Sequence, residues 1–332
     1  MNHKIKIICT LGPSSFNSKM LQELKKEKVD IFRINLSHTV TKDISKRILY
    51  LKRKGIKNIC IDTEGAQIRT TNVKKKIKFK LNQKINLSVS KNDYKNNQIN
   101  LIPHFELDSL KIGTTIKIGF ENLELTVIKK FKNKDFVLTN VSSSGYLESN
   151  KGVHINQNIS LPALSEKDKF AIKIALKNQV KIFALSFANN AENVSKIRSL
   201  IGKKSFLISK IETKNAVINL SSICKKSDAI LIDRGDLSRY FEIEEIPPTQ
   251  EKIILSAKKN NTPVYVATNL LETMIKNSEP TRAESNDIFS TLKQGASGLV
   301  LAAETAIGLN PLACILFLKK CLRVFSKYKK ST

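Results

Sequence analysis

Phe206-Leu207-Ile208-Ser209-Lys210-Ile211-Glu212 and, one helical interval later, Ala229-Ile230-Leu231-Ile232-Asp233-Arg234-Gly235-Asp236 decide how this chain folds. Each stretch opens as a nearly unbroken apolar run and closes in charge. Apolar residues in succession, rather than in alternation, mark a strand covered on both faces, the environment of a parallel sheet with helices packed outside it. The charged ends then fall at the carboxyl ends of neighbouring strands, where the loops of such sheets collect ligands.

The same rhythm extends outward in both directions. Strand-like runs are read at Ile5 to Thr10, Ile31 to Leu36, Asn58 to Asp62, Ile182 to Phe187, Phe206 to Ile211, Ala229 to Asp233, Val264 to Thr268 and Leu299 to Ala303. Segments of helical period separate them. Val194, Ile197 and Ile201 share a face of Ala191 to Ile201, and Ile315, Leu318, Leu322 and Phe325 share one of the last helix. Ser165 with Asp168 is the pattern of a capping box opening another. Eight β/α units fit an α/β fold of the (β/α)8 TIM-barrel kind, with a doubly wound open sheet as the alternative.

Between Thr70 and about Ser160 the rhythm changes. Ile77-Lys78-Phe79-Lys80-Leu81, Ile85-Asn86-Leu87-Ser88-Val89 and Leu123-Glu124-Leu125-Thr126-Val127 alternate apolar and polar residues, with Gly113, Gly119 and Gly145 as turn signals. This predicts a small all-β lid domain, barrel-like, over residues 71–159, inserted after the third strand of a catalytic barrel made of 1–70 and 160–332. A lid at that point would stand over the face where active sites of such barrels are built.

Composition narrows the function classes. The 332 residues, 41% of them apolar, are enough for one large core and a smaller satellite. A net charge of +28 points to an anionic partner, yet the lysines are spread along the chain without a dense basic tail or interleaved aromatics. They read as a solvated surface, and no specific nucleic-acid partner is expected. Cys9, Cys60, Cys224, Cys314 and Cys321 are odd in number and show no C-x-x-C spacing, which excludes a disulfide framework or zinc knuckle and fits a reducing, cytoplasmic setting. No leader-like or membrane-length apolar segment is read, so a soluble protein without a membrane partner is expected.

Polar chemistry clusters at the strand ends. Thr10 to Ser15 follows the first strand, Arg33, Asn35, Ser37 and His38 mark the second, and Asp62-Thr63-Glu64-Gly65 ends the third, with Arg69 shortly after. Lys210 and Glu212, Asp233 to Asp236, Thr268-Asn269 and Glu304-Thr305 end the later ones. The bland reading of Lys210 with Glu212 is an internal ion pair. Asn35, Ser37, Asp62 and Thr63 could equally stitch strand ends together.

Six stretches carry a resemblance in register: Ile8-Cys9-Thr10-Leu11-Gly12-Pro13, Arg33-Ile34-Asn35-Leu36-Ser37-His38, Ile61-Asp62-Thr63-Glu64-Gly65, Ser209-Lys210-Ile211-Glu212, Arg234-Gly235-Asp236-Leu237 and Pro280-Thr281-Arg282-Ala283-Glu284. Together with Leu161-Pro162-Ala163-Leu164-Ser165-Glu166-Lys167-Asp168 they resemble pyruvate kinase. The resemblance covers the barrel and lid, and the family's C-terminal domain is not expected in this chain. It implies transfer of the phosphoryl group of phosphoenolpyruvate to ADP, giving pyruvate and ATP.

The resemblance also implies roles. Glu212 and Asp236 match Mg²⁺ (or Mn²⁺) ligands, hard oxygens suited to a hard cation. Lys210 matches the cation beside the transferring phosphoryl group, and Arg33 the phosphate-binding guanidinium. Gly235 and Asp236 match a cradle for the substrate carboxylate, and Thr268 a residue that orients the substrate. Asn35, Ser37, Asp62 and Thr63 match K⁺ ligands, whereas His38, Arg69 and Lys151 match nucleotide contacts. A homo-oligomer is compatible with the family.

Departures from the family's pattern are Glu64 and Ile307 in place of Lys, Gln67 in place of Glu, Asn269 in place of Gln, Ala302-Ala303 in place of Ser-Gly, Asp233 in place of a small residue, and the loop Ser238-Arg239-Tyr240-Phe241. Glu64 and Ile307 each remove a cation expected near the nucleotide. Weak use of ADP, improved by Glu64→Lys, is the resulting expectation. A barrel enzyme with another phosphoryl acceptor and a non-catalytic binding protein stay open as alternatives.

Overall fold

The computed structural model describes residues 4–331 except 66, 72, 91, 93–96, 120–122, 133, 158 and 160. In chain order the strands are β1 Lys6–Thr10, β2 Ile31–Asn35 and β3 Ile59–Asp62, then β4 Arg69–Thr70, β5 Ile77–Phe79, β6 Lys84–Val89, β7 Gln98–Ile102, β8 Thr115–Ile118, β9 Leu123–Lys129, β10 Phe136–Ser143, β11 Gly145–Leu147 and β12 Val153–Ile155. The last five are β13 Ile182–Leu185, β14 Phe206–Ile211, β15 Ala229–Asp233, β16 Val264–Ala267 and β17 Gly298–Leu301. The chain divides into two compact units, Met1–Gly65 with Ala163–Thr332, and Ala66–Pro162.

The first unit is a closed parallel barrel in the order β1-β17-β16-β15-β14-β13-β3-β2, which excludes the open doubly wound sheet. Its two ends meet through β1 and β17, with Lys6 opposite Gly298 and Cys9 opposite Leu301. Period-two alternation sorts each strand's side chains into two cores. One face, including Ile7, Cys9, Ile34, Ile61, Leu207, Ile230, Ile232 and Leu299, packs against the surrounding helices. The other forms a second cluster of Ile8, Ile31, Cys60, Ala184, Ile208, Ala229, Leu231, Tyr265, Ala267 and Val300, which fills the barrel. Large and small residues alternate there, as packing a closed barrel requires.

The helices begin where local chemistry favours them. Ser165 accepts from the Asp168 amide and Asp168 from the Ser165 amide, closing a capping box at the start of Glu166–Lys177. Asn190 caps Ala191–Ile201, whose Val194, Ile197 and Ile201 are buried. In the last helix, Pro311–Ser331, Ile315, Leu318 and Phe325 are buried and Leu322 is partly so.

Four strands stop earlier than the apolar pattern predicts, β2 by one residue at Asn35, where the turn Leu36–His38 begins. Phe187 and Thr268 have φ of 53° and 69°, a backbone that cannot continue an extended ladder, so β13 and β16 end at Leu185 and Ala267. The eighth ends at Leu301, and Ala303 opens a short helix.

The second unit is a seven-stranded sheet in the order β12-β8-β9-β10-β6-β7-β4, with a separate pair β11-β5. A bridge between Arg69 and Gly152, flanked by Val153 N–H donating to Ile68 O at 2.7 Å, ties the sheet's two edges together. Its core, with Phe79, Leu87, Leu101, Leu125 and Val141, is its own.

Candidate active site

The filled interior of the barrel changes character one step from its carboxyl end. Adding two residues to Ile8, Ile31, Cys60, Ala184, Ile208 and Leu231 reaches Thr10, Arg33, Asp62, Ser186, Lys210 and Asp233 on the same faces. Apolar packing thus supports a polar layer from below, and all six of these side chains are buried.

Lys210 is its centre. Its Nζ lies 2.8 Å from Glu212 Oε1, 3.4 Å from Asp233 Oδ2 and 3.5 Å from Asp62 Oδ2, and it donates to Ser186 Oγ at 3.2 Å. Burial alone would strip the ammonium of its proton, but Asp62, Glu212 and Asp233 together outweigh it and hold its pKa above the ordinary lysine value. Arg33 lies alongside, with Nε at 2.8 Å and NH2 at 2.6 Å from Asp62 Oδ2 and NH1 donating to Thr10 Oγ1 at 2.9 Å. The guanidinium is likewise held charged, burial being overcome chiefly by Asp62 and Asp233.

Glu212, Asp233 and Asp236 each bring an oxygen within 4.8 Å of the others, and among the described residues this is the group able to hold a metal. Burial pushes Glu212 up to about 8, with Asp236 and Asp233 repelling its charge and Lys210 opposing the rise. Asp236 is raised by burial first and by Asp233 second. Glu212 Oε2 accepts from the Phe187 amide at 2.6 Å, and its buried Oε1 faces the Lys210 ammonium at 2.8 Å. Four carboxylates, counting Asp62, face Arg33, Lys210 and Arg239, whose Nε is 3.4 Å from Asp236 Oδ1. Four carboxylates facing three cations leave an excess of hard anionic oxygen that fits a divalent cation. Such an ion needs ligand oxygens about 4.2 Å apart at most, so small side-chain rotations suffice.

Thr268 brings β16 into the site. Its positive φ turns the backbone so that Oγ1 accepts from the Gly235 amide at 2.9 Å and lies 3.4 Å from Asp233 Oδ1. Arg234 locks the turn by donating to Thr268 O at 3.0 Å while gripping both oxygens of Asp287. A Cβ on Gly235 would meet only ordinary contacts, the nearest at 3.6 Å, so the protein itself does not demand glycine there.

The expected potassium ligands sit at the ends of β2 and β3, where Asn35 is opposite Asp62. Asn35 Oδ1 accepts from the Ser37 amide and Thr63 Oγ1 from the Ser186 amide, both at 2.9 Å, and Asp62 serves Arg33 and Lys210. The nucleotide candidates fall in both units. His38 lies exposed in the short turn Leu36–His38 of the barrel unit. Arg69 and Lys151 belong to the second unit, where Arg69 donates to Asn150 O at 3.3 Å and Lys151 pairs with Glu148 at 2.6 Å.

Glu64 is not a bare charge. Lys167 Nζ lies 2.9 Å from its Oε2 and Ser165 Oγ donates to its Oε1 at 3.0 Å, so a cation stands beside the carboxylate that replaces one. Ile307, in contrast, is exposed. Ser186 escaped the sequence reading, and Asp233, read there as a strand-end departure, was given no role. Ser186 joins Lys210, Asp62 and the Thr63 carbonyl, and Asp233 joins the carboxylate cluster. Strand parity from Ala184 and Leu231 was the signal for both.

The family model for the pyruvate kinase barrel domain matches residues 2–315. The pyruvate kinase of Thermotoga maritima is 36% identical over 97% of this chain and 71% of its own length. That of Dictyostelium discoideum is 32% identical over 99% of this chain and 68% of its own, and the chloroplastic isozyme G of Nicotiana tabacum is 32% identical over 99% and 60%. The chain therefore spans about two thirds of the length of these relatives. A match of that extent, over a closed barrel whose polar layer gathers the expected Lys210, Arg33, Glu212 and Asp236, means that the chain belongs to the pyruvate kinase family.

Proposed function

We propose that this chain moves the phosphoryl group of phosphoenolpyruvate to ADP, giving pyruvate and ATP. The observation that carries the reading is the Lys210 ammonium, buried, kept charged and shared among Glu212, Asp233 and Asp62 at the strand ends. In the transfer the P–O bond of phosphoenolpyruvate breaks, a P–O bond to the terminal phosphate of ADP forms, and the enolate left behind takes a proton on carbon. Negative charge therefore develops on the moving phosphoryl oxygens and on the enolate oxygen. Lys210 stabilises both from one position, and Arg33, its fork steadied by Asp62 and Thr10, grips the phosphate. Thr268 Oγ1, fixed by the Gly235 amide, orients the three-carbon unit for protonation.

Glu212 and Asp236 would hold the divalent cation, Mg²⁺ or Mn²⁺, which supplies charge for the phosphoryl and enolate oxygens when bound. Asn35, Ser37, Asp62 and Thr63 are the candidate K⁺ ligands, since their oxygens keep lone pairs beyond those used internally. His38, Arg69 and Lys151 are the candidate nucleotide contacts. The five cysteines are all unpaired, which supports a reducing, cytoplasmic setting. No helix among the described residues is long and apolar enough to cross a membrane.

Pyruvate formation from phosphoenolpyruvate, measured with ADP, with other nucleoside diphosphates and with no acceptor, tests the proposal. ADP-dependent pyruvate release that falls at least about a thousandfold in Lys210→Ala is expected. Release with a different acceptor alone would move the chain to the alternative reading suggested by exposed Ile307, and no release with any would overturn catalysis.

A further inference from the structure

Asp233 stands where the resemblance implies a small residue, and the barrel places it inside the site. It is buried, its Oδ2 is 3.4 Å from Lys210 Nζ, and it joins Glu212 and Asp236 in a cluster with oxygens within 4.8 Å of one another. Asp233 helps to hold the Lys210 charge, but that role alone does not account for a third carboxylate beside one ammonium. Lys210 already has Glu212 at 2.8 Å and Asp62 at 3.5 Å, and a further buried carboxylate raises the repulsion felt by Glu212 and Asp236. Nor does holding Thr268 account for it, because that contact is long at 3.4 Å and the Thr268 hydroxyl also lies 2.5 Å from the Ala267 carbonyl. The three carboxylates crowd their oxygens within 4.8 Å of one another, and Lys210 beside Glu212 and Asp233 with Arg239 beside Asp236 leaves a negative excess that a divalent cation would offset.

We propose that Asp233 is a third protein carboxylate for the divalent cation of this site. This deepens the assignment of the metal to Glu212 and Asp236 and rests on it. A hard cation gains from each anionic oxygen in its shell, so three carboxylates bind it more tightly than two before any substrate arrives. The same charge acts against an anionic substrate. Phosphoenolpyruvate brings a phosphate and a carboxylate to this end of the barrel, and Asp233 repels both. The chain thereby trades substrate affinity for a metal that stays bound between turnovers, whereas a site with two carboxylates relies on the substrate to complete its shell.

Mn²⁺ binding to the substrate-free protein, followed by the electron paramagnetic resonance of free Mn²⁺ and by calorimetry, tests this on Asp233→Asn, Asp233→Ala and Asp236→Ala. Asp233→Asn keeps the side chain's shape, and thermal melts without metal show that each variant is folded. Both Asp233 variants are expected to weaken Mn²⁺ binding about tenfold or more, and to bind phosphoenolpyruvate at saturating Mn²⁺ as tightly as the wild type or more so. If both bind Mn²⁺ within about twofold of the wild type while Asp236→Ala loses it, Asp233 is not a ligand and the metal assignment stands. If the wild type binds no Mn²⁺, or Asp236→Ala binds it unchanged, both the assignment and this inference fail.

Discussion

At the scale of single residues, the site separates groups that carry charge from groups that hold them in place. Lys210 and Arg33 carry it, and Asp62 holds both, since its Oδ2 takes two guanidinium contacts and stands 3.5 Å from the ammonium. Glu212→Ala and Asp236→Ala, which remove the proposed hard ligands, are each expected to lower Mg²⁺-supported turnover at least about a thousandfold while the melting temperature stays near that of the wild type. A titration of activity against Mg²⁺ and Mn²⁺ checks this, and near-normal turnover at equal metal would remove either residue from the site. Glu64 changes the outlook for the nucleotide side. Because Lys167 and Ser165 both hold its carboxylate, Glu64→Lys sets one ammonium against another instead of restoring a missing cation. The variant is expected to lose about 1 kcal/mol of stability, a drop of a few degrees in a thermal melt, and to gain nothing in ADP affinity. A tighter ADP KM in that variant would show that Lys167 does not stand in for the absent lysine. Lys210, Glu212 and Asp236 were legible from their places at strand ends and from the motifs around them. Ser186 was not read and Asp233 was read only as a departure without a role, because each looked like a terminal polar residue until its inward parity was followed from Ala184 and Leu231.

Elements set where those residues stand. The strands were legible because residues such as Ile230, Leu231 and Ile232 are buried on both faces of β15, which shows as an unbroken apolar run. Their ends were less so, because the turns at Phe187 and Thr268 depend on a positive φ that neither residue type advertises. Inside the barrel, Tyr265 on β16 lies opposite Gly298 on β17, and a Cβ at Gly298 would come 2.8 Å from the Tyr265 ring and 2.9 Å from Lys6 O. The glycine is there to admit the ring. Burial chiefly pushes the Tyr265 phenol up to about 12 from 10.0, so its contribution to stability is fully present below pH 10 and lost as pH climbs towards 12. Tyr265→Phe removes that dependence. Thermal melts between about pH 9 and 11.5 are expected to show the wild type losing about 2 kcal/mol more than the variant, by the exchange of about 1.4 kcal/mol per pKa unit. Parallel alkaline limbs would mean that the phenol ionises as easily in the fold as outside it.

For the whole molecule, the division into two units with separate cores is the governing fact. The alternating pattern from Ile77 onward made the inserted unit legible as β structure, while its near-closure through Arg69 and Gly152 rests on backbone pairing that no side-chain pattern records. Replacing residues 66–162 by a short flexible linker after Gly65 is expected to leave a barrel that melts in one cooperative transition but has lost efficient phosphoryl transfer. Calorimetry and the pyruvate assay together check this, and an aggregated or molten product would show that the barrel depends on the insert to fold.

The pairing of β1 with β17 has a consequence for synthesis. Lys6 leaves the ribosome early, yet its ladder partner, Gly298, is among the last barrel residues to emerge. The outer edge of β1 must therefore wait unpaired for β17, and that of β3 for β13, while β2 is already paired on both sides, and the barrel can close only after β17 has cleared the exit tunnel. The inserted unit is free of that delay, because all its strands pair among residues 69–155. It can complete its fold while the carboxyl-terminal half of the barrel is still being translated, at the five to twenty or so residues per second typical of synthesis. The nascent chain thus carries a finished domain in its middle while the open edge of β1 waits for the last strand of the barrel.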